Sequence, residues 1–136
     1  MPDLTQISAN VHTYKGARVI TVQIGEAVIA GDQGYHDFAT DKHYKAEIDN
    51  TENVARATGM FLQDGVIDDF ILFAVGGPVD IGATLDPGKV YAPSINSGKW
   101  RLASEASTGN YITISGVAVA TDKMLLHYIH SGVQIL

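Results

Sequence analysis

Apolar residues follow one another along this chain in short runs that are bounded by glycine, aspartate and asparagine. In residues 17–25, ARVITVQIG, odd and even positions fall on opposite sides of an extended backbone, and both sides carry apolar side chains. Residues 70–75, 111–120 and 124–129 are similar and are rich in valine, isoleucine and aromatic residues. Runs of this length between turn residues predict β-strands rather than helices.

Turn residues recur about every ten positions, a spacing typical of small β-sandwiches and barrels. The clearest turns are GGPVDIG (76–82) and LDPGKVY (85–91), because proline and glycine favour the backbone angles that turns need. The segment DNTENVARAT (49–58) offers N-capping side chains before Glu52 but is long enough for only a turn or two of helix. The pattern therefore predicts a mostly β protein, a small β-sandwich or barrel-like body with at most one short helix.

Two stretches, residues 41–63 and 98–120, follow the same pattern. Each runs from a lysine and an aromatic residue, through an alanine and a polar interval, to a glycine that opens an apolar run. This predicts two pseudo-repeated β units, approximately residues 30–82 and 86–136, that share one core. The matched pairs are Lys42 with Lys99, Ala46 with Ala103 and Gly59 with Gly116 at an offset of 57, Tyr35 with Tyr91 at 56, Gly77 with Gly132 at 55, and Val79 with Val133 at 54.

The length of 136 residues and the apolar fraction of 46% suit one domain with a buried core. Residues 1–18 lie outside the repeat, and we interpret them as an extended N-terminal arm or an added edge strand. Residues 19–136 then form a single β domain, because neither repeat unit can bury its apolar face alone.

Composition narrows the classes of partner. The net charge is −6 and the nine Lys and Arg are scattered, whereas nucleic acids and anionic membranes attract clustered cations. We therefore expect neither to be a partner. The charged fraction of 18% lies below the value of about 25% that is usual for soluble domains. This fits a surface that partners cover, or one that uses Ser, Thr and Gly instead.

The chain contains no cysteine, which excludes disulfides and thiolate metal sites and fits a reducing cytosol. The first sixteen residues lack the basic and apolar regions of a signal peptide. No apolar run approaches the roughly 20 residues of a membrane-spanning helix.

The histidine, carboxylate and hydroxyl groups of the chain do not form a known metal-binding or catalytic pattern. His127 and His130 form an HxxH pair, but positions three apart on a strand face opposite sides, so we expect no metal site. Asp64 and Asp68 lie in turn contexts without the calcium-loop pattern. No GxSxG motif surrounds a serine, and no phosphate-binding loop is present. We therefore predict no catalytic residues, no cofactor and no enzyme activity.

Aromatic residues are spread evenly along the chain, which favours packing in the core or at interfaces. Tyr35, Tyr91 and Trp100 are our candidates for contacts in an oligomer or on the surface. An alternative is a carbohydrate-binding module in which Tyr91, Trp100 and Tyr111 form a sugar platform. A second alternative is a lytic or polysaccharide-cleaving enzyme that uses Asp64, Asp68 and a histidine.

The segments GATLDPGKVYAPS (82–94), GKWRLAS (98–104) and STGNYITISGVAVATDKMLLHYI (107–129) follow a common order. A glycine-rich lead reaches a strand with tyrosine, a polar loop follows, and GVA precedes a short turn and a leucine-rich strand. In this order the chain, over about residues 57–130, resembles the decoration or cement proteins that coat the heads of tailed bacteriophages.

The resemblance implies a structural virion protein, made in the host cytoplasm, on the outer surface of the expanded capsid. It implies a homotrimer that bridges neighbouring major capsid subunits and stabilises the head against the pressure of packaged DNA. We further expect the arm to add a strand to a capsid edge, and its removal (residues 2–14) to leave the fold intact. The candidate capsid-binding residues are Leu4, Thr5, Ile7, Val11 and Tyr14.

Overall fold

The computed structural model describes residues 3–136, and the protein is mostly β, as predicted. Ten antiparallel strands form one sheet that curls into a half-barrel. The strands are β1 His12–Thr13, β2 Arg18–Gln23, β3 Gln33–Asp37, β4 Lys42–Lys45, β5 Gly59–Phe61, β6 Phe70–Asp80, β7 Val90–Pro93, β8 Trp100–Leu102, β9 Tyr111–Ala120 and β10 Lys123–Gln134.

Residues 3–136 contain one short α-helix, α1 Glu52–Ala55, at the predicted place. Thr51 is its N-cap, and the Thr51 hydroxyl accepts a hydrogen bond from the Val54 backbone N–H at 3.3 Å. Two 3₁₀ turns, Ser8–Asn10 and Ala103–Glu105, complete the helical content of the described residues.

The long strand β6 is the central strand of the sheet. The main path runs β4-β3-β5-β6-β10-β9-β7-β8. On its other edge β6 pairs with β2 over most of its length and with β1 near its end. Because four strands share β6, it joins both halves of the sheet and the N-terminal segment.

The two halves of the chain pair their strands in the same order. In the first half β3 pairs with β4 and β5, and β5 pairs with β6. In the second half β7 pairs with β8 and β9, and β9 pairs with β10. The halves meet where β6 and β10 run antiparallel, so the last strand of one unit pairs with the last strand of the other.

The repeated glycines Gly59 and Gly116 occupy equivalent places of close backbone approach. Gly34 pairs with Gly59 in the first half, and Tyr91 pairs with Gly116 in the second, each pair of equivalents 57 positions apart (116 − 59). A Cβ added at Gly59 would lie 2.4 Å from the Ala74 carbonyl oxygen, and one added at Gly116 would lie 2.3 Å from that of Leu125. Glycine is repeated because no side chain fits between these strands.

The register corrects three of the matched pairs. Gly34, not Tyr35, is the equivalent of Tyr91, and this slip of one residue explains why Tyr35 is half-buried whereas Tyr91 is buried. In the last strand Phe73 pairs with Phe61, as Met124 pairs with Ala118. The offset there is 51 (124 − 73) rather than 54 or 55, because the turn between β9 and β10 is shorter than the loop between β5 and β6.

Two clusters of apolar side chains lie on opposite faces of β5 and β6. Met60 and Ala74 belong to the larger cluster, which contains Trp100 and extends to β9 and β10. Phe61 and Phe73 belong to the smaller cluster, where their rings lie 5.0 Å apart. Since both faces are covered, these central strands are apolar throughout instead of alternating with polar residues.

Gln33 links the two halves through the core. Its backbone N–H donates to Gly98 O at 2.8 Å, and its side-chain Nε2 donates to Lys99 O at 3.2 Å. Its Oε1 accepts hydrogen bonds from the Ser115 hydroxyl and, at 3.0 Å, from the Tyr128 hydroxyl. Burial raises the pKa of Tyr128 far above its usual value, so this hydroxyl remains a donor.

We expect Gly116→Ala to lower the free energy of unfolding by about 1–3 kcal/mol, because the new methyl group forces β9 and β10 apart. Urea unfolding would measure this. Gly109→Asn is the control, since a Cβ at Gly109 meets nothing within 4 Å and asparagine tolerates its positive φ. Equal losses in the two variants would contradict the proposed close approach.

Candidate interaction surface

The outer side of the β9–β10 hairpin carries aliphatic side chains that are exposed or half-buried. Leu125 and Val117 are direct cross-strand partners, as are Ile129 and Ile114. Val90 on β7 lies opposite Val117 and extends the surface across a third strand. We call this surface the aliphatic face; it consists of Val90, Ile112, Ile114, Val117, Val119, Leu125 and Ile129.

The aliphatic face arises because β9 buries its polar residues. The Thr113 hydroxyl donates to Ala55 O at 2.8 Å, and the Ser115 hydroxyl donates to Gln33. Both side chains are buried, so Ile112 and Ile114 point to the outside. The alternation shifts at buried Gly116, after which Ala118 enters the core and Val119 is exposed. The usual pattern of apolar inside and polar outside is thus reversed at the start of β9.

The size of the aliphatic face distinguishes it from scattered exposed residues. Its exposed members have relative exposures from 39% at Val90 to 52% at Val119 and Ile129. These fractions give an exposed apolar area on the order of 500 Å², at the upper end of the patches found on monomers. None of its seven residues is charged, and the exposed His127 lies between Leu125 and Ile129 on the same side of β10. The largest apolar patch of a monomer is often functional.

The N-terminal segment lies against the body of its own chain. Leu4 N–H donates to Trp100 O at 3.0 Å, Ile7 N–H to Gly82 O at 2.7 Å, and Tyr14 N–H to Pro78 O at 3.0 Å. The Gln6 side chain donates to two further carbonyls, those of Gly31 and Ile81. These backbone groups are therefore already paired, which contradicts the idea of a free arm ready to add a strand elsewhere.

The five candidate residues of the arm have different environments. Leu4 and Val11 are half-buried and pack against the larger core cluster. Thr5 is exposed and Ile7 is 57% exposed, and both line a shallow groove of about 460 Å³. Tyr14 is half-buried beneath Lys123. Met1 and Pro2 of the predicted arm lie outside the described residues.

The Asp3 carboxylate holds the start of the N-terminal segment in place. Asp3 accepts hydrogen bonds from the Ser94 hydroxyl, from Asn96 Nδ2 at 2.7 Å and from Arg101 Nη2 at 3.2 Å. Burial alone would raise the pKa of Asp3, but these three donors together outweigh it and hold the pKa below its usual value. The ionised carboxylate therefore ties the segment to the β7–β8 hairpin.

The aromatic candidates are mostly core residues. Trp100 is 0% exposed and its Nε1 donates to Gly31 O at 2.7 Å, and Tyr91 is 2% exposed. The prediction that these two make surface or oligomer contacts is wrong, because their side chains fill the larger cluster. They also cannot form an exposed sugar platform with Tyr111. Tyr35 is half-buried, with its ring stacked on that of Tyr44 at 6.0 Å.

The histidine and aspartate candidates occupy separate places. His127 is exposed, whereas His130 is half-buried with its Nδ1 3.0 Å from the Thr113 hydroxyl. Asp64 accepts a hydrogen bond from Ala30 N–H at 2.8 Å, and Asp68 pairs with Lys42 Nζ at 2.6 Å. Within residues 3–136, no group of three or more His, Asp or Glu side chains is arranged to hold a metal ion.

The β3–β4 hairpin carries the most perturbed histidine of the described chain. His36 and His43 are cross-strand partners with ring centroids 5.1 Å apart, and the His43 ring lies 4.9 Å from that of Phe73. Burial and, to a smaller extent, the neighbouring His36 lower the pKa of His43 to about 4, although Asp41 acts in the opposite direction. His43 is thus neutral between about pH 4 and pH 6.5, where a free histidine is mostly charged.

Comparison with protein-family models, curated proteins and solved structures returns no match for this chain. In the described part of the chain, no helix is both long enough and apolar enough to cross a membrane. The geometry of the chain itself, and above all the aliphatic face, therefore carries the functional argument.

We expect removal of residues 2–14 to lower the free energy of unfolding by about 2–4 kcal/mol, because buried side-chain contacts and several backbone hydrogen bonds disappear. Thermal and urea unfolding would measure the loss. Among point variants, Gln6→Ala should destabilise, whereas Thr5→Ala at the exposed neighbouring position should not. A truncated chain as stable as the full one would show that the segment does not hold to the body.

We expect acid to destabilise the protein partly through His43. In the unfolded chain this histidine takes up a proton below about pH 6.5, but in the folded chain it does so only near pH 4. The stabilisation is therefore complete above pH 6.5 and is lost as the pH falls towards 4. Urea midpoints at several pH values should fall less steeply in His43→Gln than in the wild type. Parallel curves would rule out this role for His43.

Proposed function

We propose that the chain is a structural virion protein that binds the outer surface of the expanded capsid of a tailed bacteriophage. In this role it bridges neighbouring major capsid subunits and stabilises the head against the pressure of packaged DNA. The observation that carries the proposal is the aliphatic face, an uncharged apolar surface that would be costly to leave in water. The resemblance of residues 57–130 to decoration proteins supplies the identity of the partner.

The chemistry of the aliphatic face fits binding to a flat or gently curved protein surface. It lies on three neighbouring strands, and both ladders that join them are regular at Val117. Burial of this apolar surface would favour binding, but the loss of translational, rotational and side-chain freedom offsets much of the gain. We therefore expect a moderate affinity for one copy.

Stabilisation of a head would follow from mass action. A protein that binds the expanded lattice and not the unexpanded one shifts the equilibrium towards the expanded state. Copies at many equivalent sites add their contributions, so a moderate affinity at each site is sufficient. We also propose a homotrimer, as the resemblance implies, and analytical ultracentrifugation of the purified chain would measure its mass.

The test is co-sedimentation of the purified chain with DNA-filled heads and with unexpanded procapsids of the phage that encodes it. We expect saturable binding to the expanded heads alone, at a simple ratio to the capsid subunit. The double variant Val119→Thr/Leu125→Gln places polar groups in the aliphatic face and should reduce the affinity at least about tenfold.

Ile29→Gln is the matched control, because Ile29 and Leu125 are both 43% exposed but Ile29 lies outside the aliphatic face. Its binding should equal that of the wild type. Binding of the wild type to neither particle would refute the proposed function. Equal binding by the double variant would instead show that another surface makes the contact.

A further inference from the structure

A second apolar surface lies at one end of the molecule, on two loops away from the aliphatic face. Phe38, in the turn between β3 and β4, is 72% exposed. Three more large apolar residues lie in or beside the loop between β5 and β6: Val66 is 62% exposed, Ile67 61% and Phe70 71%. These four are among the most exposed large apolar side chains of the described chain, and we call them the loop patch.

The two loops are tied together. Lys42 follows the β3–β4 turn, and its Nζ lies 2.6 Å from Asp68 Oδ1 in the β5–β6 loop. Gln23 on β2 donates from its side chain to Asp68 O at 3.2 Å. Phe70 is the cross-strand partner of Gln23, so Asp68 and Phe70 belong to one structural corner. The ion pair thus fixes the β3–β4 turn, with Phe38, beside that corner.

The β5–β6 loop is held in one conformation by its own hydrogen bonds. Val66 N–H donates to the Asp69 carboxylate at 2.9 Å, and Asp69 N–H donates back to Val66 O at 3.1 Å. Asp68, at φ +73°, donates its N–H to Ile24 O at 2.8 Å. A loop that simply avoided water would turn Val66 and Ile67 inward; this one is bonded so that they point outward. Presenting them in a fixed geometry lowers the entropy cost of binding.

Carboxylates surround the loop patch. The two loops and the strand residues on either side of the β3–β4 turn carry five aspartates against a single lysine, Lys42. Each carboxylate accepts a hydrogen bond, which holds its charge in place. The aspartates and their partners are Asp37 with Thr40, Asp41 with His36, Asp64 with Ala30 N–H, Asp68 with Lys42 and Asp69 with Val66 N–H.

We propose that the loop patch docks a segment of a partner protein in which apolar residues are flanked by lysine or arginine. The four apolar side chains would contact the apolar residues of that segment, and the aspartates would face its basic flanks. The charge argues against two other occupants. Anionic lipid would be repelled by the aspartates, and the same patch on a second copy would bring like charges together.

This inference does not depend on the proposed function, because it concerns other residues and another chemistry. The aliphatic face has no charged residue, whereas the loop patch combines apolar and acidic groups. A molecule with both surfaces can contact two different proteins, or two different parts of one assembly.

The test uses short synthetic peptides with one apolar core sequence, flanked either by lysine and arginine or by aspartate and glutamate. Fluorescence anisotropy with the full chain should give an affinity at least about tenfold higher for the basic peptide, and added salt should weaken the binding. Phe38→Ser/Phe70→Ser should reduce the affinity about tenfold or more while leaving the urea midpoint unchanged, since both rings are exposed.

Leu136→Ser is the control, because Leu136 is a fully exposed apolar residue at the end of the chain, away from both loops. It should bind the basic peptide as the wild type does. Equal affinity for the two peptides, absence of binding to either, or full binding by the double variant would each overturn the proposal. Binding to phosphatidylserine vesicles in place of the peptide would overturn it as well, in favour of a membrane contact.

Discussion

The hydrogen bonds of the buried Gln33 side chain are the interaction on which the curl of the sheet depends. Gln33 lies on β3 near one end of the strand path, yet it bonds to the turn before β8 and to side chains of β9 and β10. A buried amide without partners would cost several kcal/mol, so the sheet must curl until all of these groups meet. Trp100, whose indole N–H reaches Gly31 O, fills the space beneath the same junction. The polar contacts determine where the halves join, and the apolar contacts supply most of the stabilisation.

This polar junction also explains the outer surface. Ser115 must point inward to reach Gln33, and Thr113 must point inward to reach Ala55 O. Alternation along a strand then sends Ile112 and Ile114 to the outside, where they contribute to the aliphatic face. The exposed surface is therefore a consequence of the interior and not an independent feature. A strand can bury serine and threonine without a large energetic cost only when their hydroxyls have hydrogen-bond partners. The isoleucines that the same strand exposes are then available to bind another molecule.

Much of the fold was predictable from residues alone. The short apolar runs identified β2, the first half of β6, β9 and β10, and the capping residues before Glu52 identified α1. The turn predicted over residues 76–82 is wrong, because β6 continues to Asp80. The repeat was visible because Gly59 and Gly116 are both required by close backbone contact, a constraint that no other residue satisfies. The predicted alignment of β6 with β10 was wrong by a few residues, because the loops that precede these two strands differ in length. The surface was not predictable. The sequence YITIS shows that polar and apolar residues alternate, but which side is buried depends on long-range partners such as Gln33. The burial of Tyr91 and Trp100 also depends on residues far away in the sequence, so these two were wrongly predicted to lie at the surface.

The pairing of the N-terminal segment has a consequence for the order of folding. Within each half, strands pair mainly with neighbours in the sequence, so loop-closure entropy is small and each half can form early. The segment, in contrast, depends on distant residues: Leu4 bonds to Trp100 and Ile7 to Gly82. During synthesis it leaves the ribosome before these distant partners do. The segment is therefore among the last parts of this fold to find its place, and its backbone stays unpaired until Gly82 and Trp100 have emerged.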